Sequence, residues 1–515
     1  MNEDRTYQQR RLWRLFSPLG AIALALIGQC VFARSTVMAA ELDSAKVAPM
    51  GPTLGAAGAP LCRFGANNSD APIMSFDTAA LRIGWYIDYH AVATPERPNG
   101  IKYAPLIHLQ QTGPASYTYF PNGPDLQQVI AGNLGADWFI GNEPDRIDFQ
   151  DDMEPAVYAL AYHELYALLK TADPTAHIFA GSIVQPTPLR LQYLDKVLAS
   201  YFTQFGKAMP VDGWAIHNFI LNEASCAHYK DNAVCWGADI PPTIDAIDGL
   251  RIQVRDNDNF TLFKQQIVRF RQWMKSRGYG DKPVYLSEYG VLMPNIFSPP
   301  DDFPPSRVNA FMNKTFDYLL NTTDPLLGDP ADGYRLIQRL SWYSMSDNVN
   351  FNGYLFEHNA ATDPYHLSEM GSNYAAYTAP LTTTADFAPI QLTTEPTAPL
   401  AKDGKVTLTL KARIANSGNA AAGQSATVRF YDKNPAQGGV QIGADQTVAL
   451  PGCGATADVT VQWLNVAPAS YQVYVSIDAG NTAETNKINN VSKASVFFAT
   501  TQIFLPFVPN GSVVP

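Results

Sequence analysis

From Phe76 to about Pro380, short apolar runs of strand length alternate with longer stretches whose apolar residues recur every three to four positions. This pattern constrains the fold more than any other feature, because strands that alternate with amphipathic helices form βα units, and βα units build a parallel sheet. The strand runs are Leu81–Ile87, Tyr103–Leu109, Asp137–Ile140, His177–Ala180, Gly213–Ile216, Pro283–Leu286 and Arg339–Tyr343. Helical spacing marks Ala156–Thr171, Leu189–Phe205, Phe260–Lys275 and Arg307–Leu320; Phe263, Ile267, Phe270 and Met274 share one face. Seven strands are visible. A (β/α)8 barrel takes one more, which is expected between Leu109 and Asp137.

The pattern changes at Ala379–Leu400, where Pro, Thr and Ala dominate and helical spacing ends. Beyond it Val406, Leu408, Leu410, Ala412 and Ile414 alternate with Thr407, Thr409, Lys411 and Arg413, and similar runs recur at Ala426–Tyr431, Ala457–Trp463, Tyr471–Ile477 and Ala494–Phe498. Period-two runs separated by turn residues predict an all-β, immunoglobulin-like sandwich. The expected plan is a signal segment at 1–40, an Ala/Gly/Pro-rich linker at 41–75, the α/β barrel at 76–380 and a linker at 381–400. The sandwich follows at 401–500, with a tail at 501–515 to which no role is assigned.

Arg5, Arg10, Arg11 and Arg14 precede the uncharged stretch Leu15–Ala33, and small residues follow at Ala39 and Ala40, the layout of an export signal. The alternative is an uncleaved membrane anchor. The chain carries a net charge of −11, and the 36 Lys+Arg form no long basic run, so nucleic acid is not an expected partner. In an oxidising compartment the spacing of Cys226 and Cys235 suits a loop-closing disulfide. Metal binding through Cys226, His228 and Cys235 is the alternative, but it lacks a paired knuckle. Cys62 and Cys453, far apart in sequence, are expected to be free thiols.

Two glutamates stand where apolar strand runs stop. Glu143 lies in Asp137-Trp-Phe-Ile-Gly-Asn-Glu-Pro-Asp145, and Pro144 is expected to hold it in an extended turn. Glu288 lies in Pro283-Val-Tyr-Leu-Ser-Glu-Tyr-Gly290. In a parallel barrel the C-terminal strand ends converge, so the two can face each other across its mouth. A pair of carboxylates is what glycosidic cleavage requires: one protonated to assist the leaving oxygen, the other ionised to attack or to activate water. Glu143 is expected to keep the proton and Glu288 to stay ionised.

The Asn-Glu-Pro context of Glu143 and the strand-end Glu288 resemble the clan A glycoside hydrolases, over about residues 80–375. Gly84-Trp-Tyr86, Ala104-Pro-Leu-Ile107 and Gly141-Asn-Glu-Pro-Asp145 are similar to the glycosyl-hydrolase catalytic-core family that cleaves β-1,3-glucan. The resemblance implies a retaining hydrolase with Glu143 as acid/base and Glu288 as nucleophile on the fourth and seventh strands, and Asn142 bonding the sugar hydroxyl beside the scissile bond. It implies no metal and no cofactor. His217 ends the sixth strand run, in a place where the clan often shows His-x-Tyr. Phe219 stands where that tyrosine would be, so Tyr289 or another tyrosine must support Glu288. Trp342 matches the clan's stacking platform, and Trp85 is a second candidate.

Asn416-Ser-Gly-Asn419, Arg429-Phe-Tyr-Asp432 and Glu484-Thr-Asn-Lys-Ile-Asn-Asn490 resemble the CARDB family of bacterial cell-surface modules. That implies a spacer or adhesive role without catalysis. Asp478, Asn481 and Glu484 are candidate calcium ligands, with a solvated turn the favoured reading. The function expected is a secreted or cell-surface, monomeric endo-β-glycanase acting on a polysaccharide. The alternative is a carbohydrate-binding or adhesive surface protein that keeps the barrel without turnover.

Overall fold

The computed structural model describes residues 59–496 except 69–70, 232–233, 294–296, 347–350, 360–362, 398–403, 420–424 and 485. The expected signal segment and tail, and most of the first linker, lie outside the described residues.

Eight parallel positions close into a barrel. They are β1 (Phe64–Asn67), β2 (Trp85–Ile87), a third position split into β3 (Lys102–Tyr103) and β4 (Leu106–Gly113), then β6 (Asp137–Ile140), β7 (His177–Ile183), β8 (Gly213–His217), β9 (Val284–Tyr289) and β10 (Arg339–Trp342). β5 (Ser116–Phe120) returns antiparallel on β4. β3 pairs with β2 on one side and β4 with β6 on the other, and the two halves join through Ala104-Pro105, so the ring is complete. Proline has no N–H to give a ladder, and the strand changes partners at Pro105.

The strand missing from the sequence pattern is β1, not a segment between Leu109 and Asp137; that segment holds the β4–β5 hairpin and the helix α1 (Gly123–Gly132). β1 lies inside the expected linker 41–75. All four of its residues are buried and Gly65 and Asn67 break its apolar run, so it carries neither alternation nor a long hydrophobic signal. The helices α2 (Pro155–Ala172), α3 (Pro188–Phe205), α4 (Phe260–Ser276) and α5 (Pro305–Asn321) run close to their predicted spans, and α6 (Glu369–Thr378) follows β10.

Inward-pointing Trp85, Phe139, Phe179 and Tyr285 fill the barrel with stacked aromatics; Trp85 lies 6.5 Å from Phe139 and Phe179 4.1 Å from Tyr285, centroid to centroid. The interior is a packed core, not a pore. Trp85 is fully buried in this layer and donates to the Arg63 carbonyl, which corrects its expected role as a sugar platform.

The sandwich packs a sheet of β11 (Phe387–Glu395), β12 (Val406–Asn416) and β15 (Ala455–Val466) on a sheet of β13 (Ser425–Tyr431), β14 (Gln441–Ala449), β16 (Tyr471–Asp478) and β17 (Val491–Val496). It begins earlier than the expected 401, because Ala385 and Phe387 belong to its core. Cys62, just before β1, is disulfide-bonded to Cys453 of the sandwich, which corrects the expectation of two free thiols. Sequence separation hid this pair, but the fold brings their Cα atoms to 5.1 Å. Asn419 reinforces the joint by accepting from the Leu61 N–H. Asp478 accepts from Gly480 N–H and Arg429, and Glu484 from Phe387 N–H and Asn490, so these carboxylates are spent on turn and strand contacts.

Candidate active site

Glu143 and Glu288 come together at the C-terminal mouth of the barrel. Both are buried, and His217 at the end of β8 lies between them: Nδ1 is 2.9 Å from Glu143 Oε1 and Nε2 is 3.1 Å from Glu288 Oε1. His217 pairs with Glu288 in the β8–β9 register, just past an irregularity at Ile216, which turns both side chains toward the mouth. One carboxylate oxygen of each glutamate and a nitrogen of His217 lie within 4.8 Å of one another, a spacing that would also admit a metal ion. Nδ1 meets Glu143 in a hydrogen bond, whereas Nε2 stands close to Glu288 Oε1 without hydrogen-bonding geometry, so the imidazole is placed between the two carboxylates but is bonded to one of them.

The turn carrying Glu143 is left-handed (φ 44°), not extended as the following proline suggested. This is a costly conformation for a non-glycine residue, kept only where surrounding contacts over-determine it. Glu143 N–H donates to Ser182 of β7 at 3.0 Å. Asp151 accepts from the Asn142 N–H at 2.8 Å and the Leu109 N–H at 2.9 Å, and His108 closes on its other oxygen at 2.7 Å. Behind the turn, fully buried Arg190 of α3 ties Asp145 (2.6 Å) to Glu223 (2.8 Å), and Tyr193 donates to the Met153 carbonyl.

Arg146, three residues after Glu143, places Nη1 3.2 Å from Glu143 Oε2. Burial opposes ionisation of Glu143, but Arg146 and His217 more than offset it and hold the carboxyl well below its ordinary range. Glu288 moves the other way: burial raises it, His217 draws it down, and the neighbouring Glu143 charge raises it again. These directions, Glu143 down and Glu288 up, run opposite to the expected division. Arg146 contributes to the difference, since it is ion-paired with Glu143 and acts on Glu288 only as the smallest of its influences. His217 is opposed by burial, but the two carboxylates raise it and favour its charged form.

Asn142 donates to Gln150 Oε1 at 3.1 Å, and its buried Oδ1 has no partner among the described residues. Tyr289 is in the helix-facing core, with its ring 5.2 Å from Trp342 and its hydroxyl near Thr315, so it does not support Glu288. The tyrosine that does is Tyr89, just past β2. Its hydroxyl favours the ionised form of Glu288 without meeting it at strict hydrogen-bonding geometry. Trp342 is also fully buried and donates to the Gly353 carbonyl at 2.6 Å, which corrects its assignment as a platform. The half-buried aromatics near the mouth are Tyr89 and Tyr343, the latter edge-on to Phe219 at 6.0 Å. Cys226 and Cys235 form the expected disulfide, and two residues on, Gly237 accepts from Arg146 at 3.0 Å.

The chain thus joins a parallel barrel that carries two buried glutamates at its C-terminal mouth to an antiparallel sandwich. Residues 384–494 match the CARDB family model, and no curated protein matches the chain. Among solved structures the chain is similar to a GH128 (subgroup I) endo-β-1,3-glucanase from Amycolatopsis mediterranei in complex with laminaritriose, at 15% identity over 61% of this chain and 98% of that one, TM-score 0.37. A glucosidase from Croceicoccus marinus aligns at 12% identity over 80% of this chain and 96% of its own, TM-score 0.39. The CARDB domain of a Pyrococcus furiosus protein, in complex with di-metal ions, aligns at 18% identity over 23% and 88%, TM-score 0.17.

Proposed function

We propose that the protein is an exported, retaining glycoside hydrolase that cleaves β-glycosidic bonds within a polysaccharide. The observation that carries this reading is the Glu143–His217–Glu288 chain, with carboxylate oxygens of the two glutamates within 4.8 Å. Nearest oxygens this close support a retaining pair, whose carboxyl groups stand about 5–5.5 Å apart, over an inverting pair at about 6.5–9.5 Å.

In this reading Glu288 attacks the anomeric carbon while Glu143 protonates the departing oxygen. Water, deprotonated by Glu143, then releases the glycosyl group from Glu288. Glu143 must first gain a proton. Sugar entering beside it displaces Arg146, its carboxyl rises, and His217 passes the proton across from the Glu288 side. Asn142, with its unpartnered Oδ1, accepts from the sugar hydroxyl beside the scissile bond. Tyr89 and Tyr343 offer ring faces in place of the buried tryptophans.

The resting electrostatics favour a second reading, in which the roles are exchanged and Glu143, already ionised, is the nucleophile. Trapping of the glycosyl-enzyme separates the two. Two disulfides fit an oxidising compartment, and the CARDB-type sandwich suits contact with polymer or cell surface by a monomer. The activity is tested on a panel of β-glucans, mannan, xylan and aryl β-glycosides with wild type and Glu288→Ala. Release of reducing ends by wild type alone is expected; no hydrolysis of any of them would overturn the reading.

A further inference from the structure

The loop from β6 to α2 carries Glu143 near its start and, six residues on, an aromatic side chain, Phe149, that is 47% exposed. Exposed apolar residues scattered singly are ordinary, but the backbone around this one is not. Asp148 and Gln150, on either side of it, both have left-handed backbone (φ 61° and 52°), as do Glu143 and Asp152. Non-glycine residues keep this conformation only where contacts over-determine it, and such strain gathers at active sites and ligand clamps. Here the contacts lead back to the turn that carries Glu143. Gln150 Oε1 accepts from Asn142 Nδ2 at 3.1 Å, Asp151 N–H donates to the Asn142 carbonyl at 3.2 Å, and Asp148 N–H donates to the Asp152 carboxylate at 3.0 Å. The Phe149 ring is tied in as well: Arg146 Cζ lies 4.8 Å from its centroid, while Nη1 of the same guanidinium is 3.2 Å from Glu143 Oε2.

We propose that Phe149 is the platform for the sugar unit on the leaving-group side of the bond being cleaved; this rests on the glycosidase reading and extends it to the second unit of the substrate. Through Arg146 and Asn142 the ring is anchored to Glu143, the group that protonates the departing oxygen in that reading, and the unit attached to that oxygen lies on the Glu143 side. One guanidinium separates the ring from the Glu143 carboxylate, which suits it to the neighbouring pyranose rather than to the one being attacked. A phenyl ring has no hydrogen-bonding atom, so what it takes is the C–H face of a neutral sugar, whose hydrogens meet the same negative ring face that attracts the Arg146 cation. Nearly half of the residue stays exposed with Arg146 in place, so a sugar can reach it. Because the loop is already fixed by its own hydrogen bonds, little ordering is left to oppose binding. Trp85 and Trp342, fully buried, cannot serve in its place.

The test compares two kinds of leaving group on the full chain, using wild type, Phe149→Ala and Phe149→Tyr. The substrates are tetraoses of β-1,3-glucan, β-1,4-glucan, mannan and xylan, and the β-fluorides of the corresponding disaccharides. A tetraose puts sugar on the leaving-group side; a fluoride puts none there. For the series that wild type cleaves, Phe149→Ala should lower kcat/KM on the tetraose about tenfold or more, the scale of burying an aromatic ring. The fluoride should stay within about twofold, because Arg146 keeps its contacts with Glu143 and Gly237. Phe149→Tyr should restore the tetraose rate, and both variants should melt like wild type. A tetraose rate that Phe149→Ala leaves undiminished would overturn the proposal. So would an equal loss on tetraose and fluoride, which would show the ring acting on Glu143 through Arg146 instead of on the sugar. Cleavage of neither substrate by wild type would remove the glycosidase reading itself and the platform with it.

Discussion

Arg146 Nη1 stands 3.2 Å from Glu143 Oε2, while the Arg146 Nη2 donates to the Gly237 carbonyl at 3.0 Å. The guanidinium thus joins the proposed acid to the segment that follows the Cys226–Cys235 disulfide. Its charge draws down both Glu143 and Glu288. In Arg146→Met both carboxyls should therefore titrate at higher pH, and both limbs of the kcat/KM profile, which belong to the coupled pair, should move in the alkaline direction. The double variant Cys226→Ser/Cys235→Ser should move them the same way by less. Unmoved limbs in Arg146→Met would show that the ion pair plays no part in setting the proton balance.

Glu143→Gln keeps the shape of the side chain and cannot donate as an acid. With substrates whose leaving groups need protonation, kcat should fall by about 10²–10⁴-fold, the usual contribution of a general acid. Aryl glycosides with good leaving groups should lose far less in the first, bond-breaking step. An equal loss across a series of leaving groups would remove the acid role.

Glu288 is held above its ordinary carboxyl value of 4.5 chiefly by burial. A group raised on folding gives stability that is fully present below its unfolded pKa and lost as pH rises through the folded value. Glu288→Gln, neutral at every pH, escapes that loss. Its melting temperature relative to wild type should climb as pH is raised from acid into the neutral range, with the difference smallest in acid. A difference independent of pH would contradict the raised carboxyl.

The Cys62–Cys453 bond spans 391 residues of sequence and fastens the entry to β1 to the sandwich. A long closed loop gives a disulfide its largest effect, so Cys453→Ser should lose about 2–5 kcal/mol of stability while keeping turnover of small substrates at ambient temperature. A truncation ending near Asp386 should be destabilised similarly, because it leaves Cys62 unpaired and removes Asn419 from Leu61. Melting curves unchanged by Cys453→Ser would show that this joint bears no stability.

The barrel was legible where strands were apolar and bounded: β6 to β10 and α2 to α5 stand where periodicity put them, and Glu143 and Glu288 fall at strand ends as their contexts implied. β1 was not, because four residues containing Gly65 and Asn67 carry no period. Trp85 and Trp342 were misread because an aromatic in a strand looks the same in sequence whether it faces a cleft or a core. Arg146 was in plain view three residues from Glu143, but its effect depends on where the side chain turns. Tyr89 and Cys453 act across the fold, and no local spacing announces contacts of that kind.

Glu288 is the residue proposed to form the bond to the sugar. The most direct measurement is mass mapping of peptides after reaction with a fluorinated-sugar inactivator, which slows breakdown of the glycosyl-enzyme more than its formation. One glycosyl group per chain is expected, carried on the peptide containing Glu288 and absent from Glu288→Ala. Label on Glu143 would assign the exchanged roles, and inverted product stereochemistry with no covalent adduct would contradict the retaining mechanism altogether.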